Sequence, residues 1–399
     1  MQGRDTALVQ PKRCGAEPSL HPHPIDASRS LLRRRFLSGI ALATSGGWTL
    51  AQASPSPEEG DFSTAFGSWP RLVGAWRKGA GNYVGYWSLG AGVHGVETGF
   101  RGHQVLLDPS RPSQAIAIAR RPGRRIARVD FEASSVIASR EIEEGRTLNG
   151  HAVFSEDGAT LYTSENDRKT GNGFIGLRHA DTLAKYAEFS SYGVGPHGIL
   201  RIDDTLLIAN GGVQVIPDAG KGAPLRMDPS LTQIDLRDGQ LIAQWRLKDP
   251  QLSIRHIARG RNGKVGVALQ GAHFDLEERL AAPVLAIFDG RSLSVCESAR
   301  SVALRGYAGD VAALEDGGRE YFAVGCTHAN QVAWWRSDGS WERAMAQPSA
   351  CALGAMQNML FAATEAGYAT RVLPSTEWSS SDRSIDVEWE NHLLVVPST

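Results

Sequence analysis

The chain has 399 residues, 42% of them apolar, with Lys+Arg 42 against Asp+Glu 43 and a formal net charge of -1. That composition supplies ample apolar material for a core and excludes a disordered chain. No basic block occurs outside the N-terminal region, which argues against a nucleic-acid partner.

Arg33-Arg34-Arg35-Phe36-Leu37 fits the twin-arginine pattern R-R-x-F-L, a mildly apolar stretch runs from Gly39 to Leu50, and Ala51-Gln52-Ala53 offers a small-x-small cleavage site. Residues 1–53 are therefore expected to be a twin-arginine signal peptide with an N-terminal extension, removed on export to the periplasm. The long extension before the arginines points to a start codon downstream of Met1. The apolar stretch is shorter than the roughly 20 residues a membrane span needs, and Gly46-Gly47 interrupts it, so no span is expected in the mature form. Export in the folded state favours a metal or cofactor inserted beforehand. Cys14 leaves with the signal; Cys296, Cys326 and Cys351 remain, and at most one disulfide is expected. Cys326 and Cys351 are the expected pair if they sit in adjacent repeats.

Residues 54–80 are rich in Pro, Ser, Gly and Trp, and read as a linker or irregular first strand. From 81 to 399 the sequence reads as one all-β domain, because short Val/Ile/Leu/Phe/Tyr runs alternate with turn signals and no 3.6-residue periodicity persists. Asp157-Gly158, Asp238-Gly239, Asp289-Gly290, Asp316-Gly317 and Asp338-Gly339 predict hairpin turns. Gly171-Asn172-Gly173-Phe174-Ile175-Gly176 matches a nucleotide-loop pattern but precedes a strand-like run, so it too predicts a hairpin.

The segments repeat. Gly150-His151 opens a strand, turn, strand unit, and Gly195-Pro196-His197 opens a looser copy. His103, His151, His197 and His256 follow one another at intervals of 48, 46 and 59 residues. A period of about 45 built from short strands is the signature of propeller blades, and predicts a seven-bladed β-propeller. A pair of β-sandwiches is the alternative, but it predicts no such recurrence.

In a propeller the inner strand of each blade lines the channel. His103, His151, His197 and His256 would then converge on one axis, and neutral imidazole is a ligand for iron, copper and zinc. Those four are the candidate metal ligands, with iron or copper as the expected ion. Glu165, in Thr163-Ser164-Glu165-Asn166-Asp167, is the expected carboxylate partner, serving beside His151 as acid/base or as a metal-orienting group. Arg101 and Arg255 are candidate ligand-binding residues for an anion, because a guanidinium fork matches carboxylate or phosphate, and Gln270 is a further ligand-binding candidate. The simpler reading of the same histidines is structural, with each imidazole hydrogen-bonded across strands. Likewise Arg120-Arg121-Pro122-Gly123-Arg124 reads first as a solvated turn. No G-x-S-x-G elbow, phosphate loop or C-x-x-C occurs.

Eight segments in order carry a resemblance: Arg101-Gly102-His103, Arg120-Arg121-Pro122-Gly123-Arg124, Gly150-His151, Thr163-Ser164-Glu165-Asn166-Asp167, Gly195-Pro196-His197, Ala209-Asn210-Gly211-Gly212, Met227-Asp228-Pro229-Ser230-Leu231 and Ser253-Ile254-Arg255-His256. Together they resemble the bacterial domain-of-unknown-function family DUF1513. The resemblance implies a propeller-like periplasmic protein exported by twin arginines and associated with imelysin-type or other periplasmic iron-uptake proteins as partners; it implies no particular activity. Two departures stand out. Val215-Ile216-Pro217-Asp218 replaces a histidine-bearing segment of the family, and Cys326-Thr327-His328-Ala329-Asn330 offers His328 as a possible substitute.

Three functions follow as expectations. The first is an accessory protein of iron or metal acquisition, binding a metal, a haem-like ligand or a partner at a histidine-lined mouth. The second is a propeller enzyme, a lactonase-like hydrolase or a quinone- or metal-dependent oxidoreductase. The third is a non-catalytic interaction platform.

Overall fold

Runs of Val, Ile, Leu and Ala bounded by Asp-Gly turns fold into antiparallel meanders, because each turn reverses the chain within two residues. Between Asp310–Asp316 and Arg319–Cys326 the turn glycines 317 and 318 take φ of 58° and 73°, and Asp316 pairs with Arg319. All five Asp-Gly pairs join neighbouring antiparallel strands in this way. The computed structural model describes residues 69–213, 227–296, 301–373 and 379–397. Residues 1–53, read as an export signal, residues 54–68 and Val215-Ile216-Pro217-Asp218 lie outside the described residues. No described helix is long and apolar enough to cross a membrane.

Seven sheets result, one per blade, so the seven-bladed β-propeller expected from the histidine spacing is the fold. The inner strands of blades 2 to 7 are Gly102–Asp108, Arg146–Phe154, Pro196–Ile202, Leu252–Arg259, Asp310–Asp316 and Ala350–Met356, each followed by three more strands in sequence order. Blade 1 is composite. Arg71–Lys78, Gly81–Ser88 and Gly92–Glu97 supply three strands, and Glu388–Trp389 and Leu394–Val396 close it by pairing with Arg71–Lys78. The stretch read as linker or irregular first strand thus contains a regular strand from Arg71.

Seven clusters of buried apolar residues lie between adjacent blades among the described residues, one at each interface. Trp76 and Trp389 pack at 5.4 Å where the ring closes, and Trp334 and Trp335 point to opposite faces of blade 6. Among the described residues there is no single core: each blade buries both faces against its neighbours, and the axis is left to polar groups.

Cys326 and Cys351 do sit in adjacent blades, but no disulfide joins them; Cys296, Cys326 and Cys351 are three separate buried thiols. The Cys351 Sγ lies 3.3 Å from the Trp389 carbonyl oxygen, at the closing strand, while Cys326 lies against its own strand near Val324. Burial pushes the Cys296 and Cys326 thiols up to about 12.

Candidate metal centre

The histidines owe their direction to breaks in strand pairing. Pairing of the inner with the second strand is interrupted between Gly102 and Val105, Leu148 and Ala152, Pro196 and Ile199, and Ile254 and Ile257. Those gaps contain His103, His151, His197 and His256. A bulge re-aims a side chain that a regular ladder would hold in the pleat. Glycine beside the histidine makes room: a Cβ on Gly150, whose φ is +97°, would meet the Cδ2 of His103 at 2.3 Å. The neighbouring blade's imidazole therefore packs directly on backbone.

All four predicted histidines converge, with ring centroids 4.5 to 5.8 Å apart. Two residues missed in the sequence join them. His392, from the segment that closes blade 1, lies 4.3 Å from the His256 ring and 4.7 Å from that of His103. It takes φ +70°, a left-handed conformation rare outside glycine and concentrated at functional sites. Asp310, at the start of blade 6, places Oδ1 3.2 Å from His392 Nδ1 and 3.8 Å from His256 Nδ1. Its carboxylate is anchored by the backbone N–H groups of Val311 and Leu353, each donating at 2.9 Å. A cavity of about 160 Å³ is lined by His151, His256, Asp310 and His392, with Gln104 and Leu353 among its walls.

Burial, followed by neighbouring imidazoles and arginines, holds His103, His151, His197 and His256 well below the ordinary histidine value. At neutral pH these rings are uncharged and keep a lone pair for coordination. Four of their nitrogens are buried without a hydrogen-bond partner: Nδ1 of His103, His197 and His256, and Nε2 of His151. Orphaned buried polar atoms are rare in native proteins and call for a cause.

The residues fit a metal ion. Donor atoms of His103, His151, His256 and His392 all lie within 4.8 Å of one another. A tetrahedral ion with bonds near 2.0–2.1 Å separates its nitrogens by about 3.3 Å, and His103 Nε2 stands 3.3 Å from His392 Nε2. His197 stands one step back, its Nε2 2.8 Å from His256 Nε2, a hydrogen bond that orients the His256 ring.

Glu165 is not the carboxylate of this site. It lies on the second strand of blade 3, and its side chain runs across the sheet to Arg178 at 2.7 Å and Lys185 at 3.4 Å, with the Thr163 hydroxyl donating to it at 2.7 Å. The acid/base pairing expected with His151 does not form; Asp310 holds the carboxylate position. His328 stays outside the cluster, exposed and stacked on Tyr307 at 3.9 Å.

The arginines gather nearby. Arg101 Nε pairs with Glu390 at 2.5 Å, and Arg120 Nη1 donates to Glu390 at 2.8 Å and to Asn391 at 2.7 Å. The 120–124 loop is thus no solvated turn: Arg120 reaches the closing segment, and Arg124 donates to the Ile142 carbonyl at 2.9 Å. Gln270 donates to the Ala308 carbonyl at 2.9 Å. Arg255 is 9% exposed, and its Nε is buried without a partner; burial, then Arg121, push its guanidinium down to about 9, still cationic at neutral pH.

In structure the chain is similar to the crystal structure of the RRP9 WD40 repeats, with TM-score 0.52 and 11% identity over 74% of this chain and 85% of that one. It is similar to the crystal structure of the mitotic checkpoint complex, with TM-score 0.52 and 12% identity over 87% and 89%. At such identities the likeness shows the fold alone. No curated protein matches the chain. The family model described as "Protein of unknown function (DUF1513)" matches residues 96–396, from blade 1 through the whole ring to its closing strand, and the chain belongs to that family.

Proposed function

We propose that this chain binds one first-row transition-metal ion on the propeller axis, through imidazoles of His103, His151, His256 and His392, and serves as an exported accessory protein of metal acquisition. The observation that carries this reading is the convergence of donor atoms of these four imidazoles within 4.8 Å of one another, with burial keeping His103, His151 and His256 neutral and with His151 Nε2 and His256 Nδ1 buried without hydrogen-bond partners. A purely structural ring of histidines would satisfy those nitrogens within the protein. Neutral imidazole suits iron, copper and zinc, and the cargo expected here is iron or copper. Asp310 supplies a carboxylate that partly offsets the ion's charge and orients His392.

Elemental analysis of natively exported protein tests the reading. One equivalent of metal is expected, falling at least tenfold in His256→Ala and His392→Ala, and metal addition should raise the melting point of the stripped protein only when the histidines are intact. Sub-stoichiometric metal in every preparation, unaltered by the substitutions, overturns it.

A further inference from the structure

The axis carries more positive charge than its carboxylates answer. Glu390, 2% exposed on its side chain, is shared by three guanidiniums, those of Arg77, Arg101 and Arg120. Asp310 is committed to His392 and two backbone N–H groups. Arg255 has neither: among the described residues its guanidinium makes no hydrogen bond and no ion pair, although it is more than nine-tenths buried. A buried Nε–H without a partner is rare in native proteins and calls for a cause.

The surroundings point to what that is. Arg255 shares the bulge that carries His256, which sets it beside the imidazole layer. Its Nη1 lies against the backbone of Gly211, where a Cβ would come within 3.0 Å, so the glycine keeps that face open. A partnerless guanidinium thus stands beside imidazoles with nitrogens to spare. Guanidinium forks of this kind bind carboxylate and phosphate oxygens in pairs.

We propose that Arg255 forms an oxyanion site beside the imidazole layer that takes the carboxylate or phosphate group of a small ligand. The site stands on Arg255 alone and holds whether or not the imidazoles carry a metal. An anion there neutralises the guanidinium and shares the axis with whatever the histidines hold.

Isothermal titration of metal-stripped, dialysed protein with succinate and, separately, inorganic phosphate tests it. Saturable binding of at least one is expected, and the two titrations distinguish carboxylate from phosphate. Affinity should fall at least tenfold in Arg255→Gln, fall less in Arg255→Lys, and stay unchanged in Arg237→Gln, an exposed arginine paired with Asp235. His392→Ala should retain the binding, which separates this site from the metal reading. No saturable binding of either anion to the folded protein, or binding that Arg255→Gln leaves intact, overturns the proposal.

Discussion

Arg178 and Arg255 are both buried arginines in inner or middle strands of their blades, and their surroundings are opposite. Every nitrogen of Arg178 is engaged: Nε with Thr163 at 3.2 Å, Nη1 with the Leu183 carbonyl at 3.3 Å, and Nη2 with Glu143 and Glu165 at 2.7 Å each. Arg255 has no such partners, and neither do several imidazole nitrogens around it. The first cluster is closed, since everything that answers its charge lies within blade 3 and its connections. The second is open, and its unanswered groups mark where a ligand is expected.

The strongest test of that contrast is acid. In metal-stripped protein the four buried imidazoles stay neutral when folded, because burial depresses their pKa, and protonate readily when unfolded. The unfolded state therefore binds more protons below about 6.5, so the stability is fully present above that value and lost as pH falls through it, at about 1.4 kcal/mol per imidazole per pH unit. Melting points between pH 7.5 and 5.5 should drop by about 10 °C; a flat profile would show the rings to be hydrated and the open cluster not to be buried at all.

Cutting the closed cluster comes next. Glu165→Ala strips Arg178 of a buried carboxylate and should cost about 3–5 kcal/mol in denaturant unfolding, while metal content per folded molecule stays the same. Loss of metal at unchanged stability would return Glu165 to the axis and erase the distinction. The smallest effect is expected at Gly150, where Ala adds a methyl against His103 in a positive-φ position. Overpacking of this kind costs about 1–3 kcal/mol, and the displaced His103 should weaken metal retention as well; an unchanged melt and unchanged metal would mean the ring does not rest on that backbone.

Much of the fold was legible because its signals are local. Each Asp-Gly pair needs only its own backbone conformation to declare a hairpin, and four histidines at near-blade spacing announce the ring. The site was half legible for the same reason. His392 escaped because it belongs to the blade that the two ends of the ring build together, although it lies 41 residues after Cys351, which lies 41 after Asp310, and both mark the starts of inner strands. Asp310 escaped because the sixth blade carries a carboxylate where blades 2 to 5 carry imidazole. Glu165 misled because distance from the axis depends on which strand of a blade a residue occupies, and neighbouring strands look alike in sequence. The 120–124 arginines misled because Pro-Gly reads as a solvated turn until Glu390 is brought across the seam from the far end of the chain.

That seam has a consequence of its own. Within three residues the closing segment gives Glu390 to the arginines, Asn391 to the Gly309 and Cys351 carbonyls at 2.9 and 3.2 Å, and His392 to the imidazole cluster. Whatever unzips Glu388–Trp389 from Arg71–Lys78 dismantles the axial site in the same stroke. Ring integrity and ligand retention are consequently one equilibrium: a ligand on the axis works as a latch on the joint, and slowed amide exchange along Arg71–Lys78 would register its arrival from outside the site.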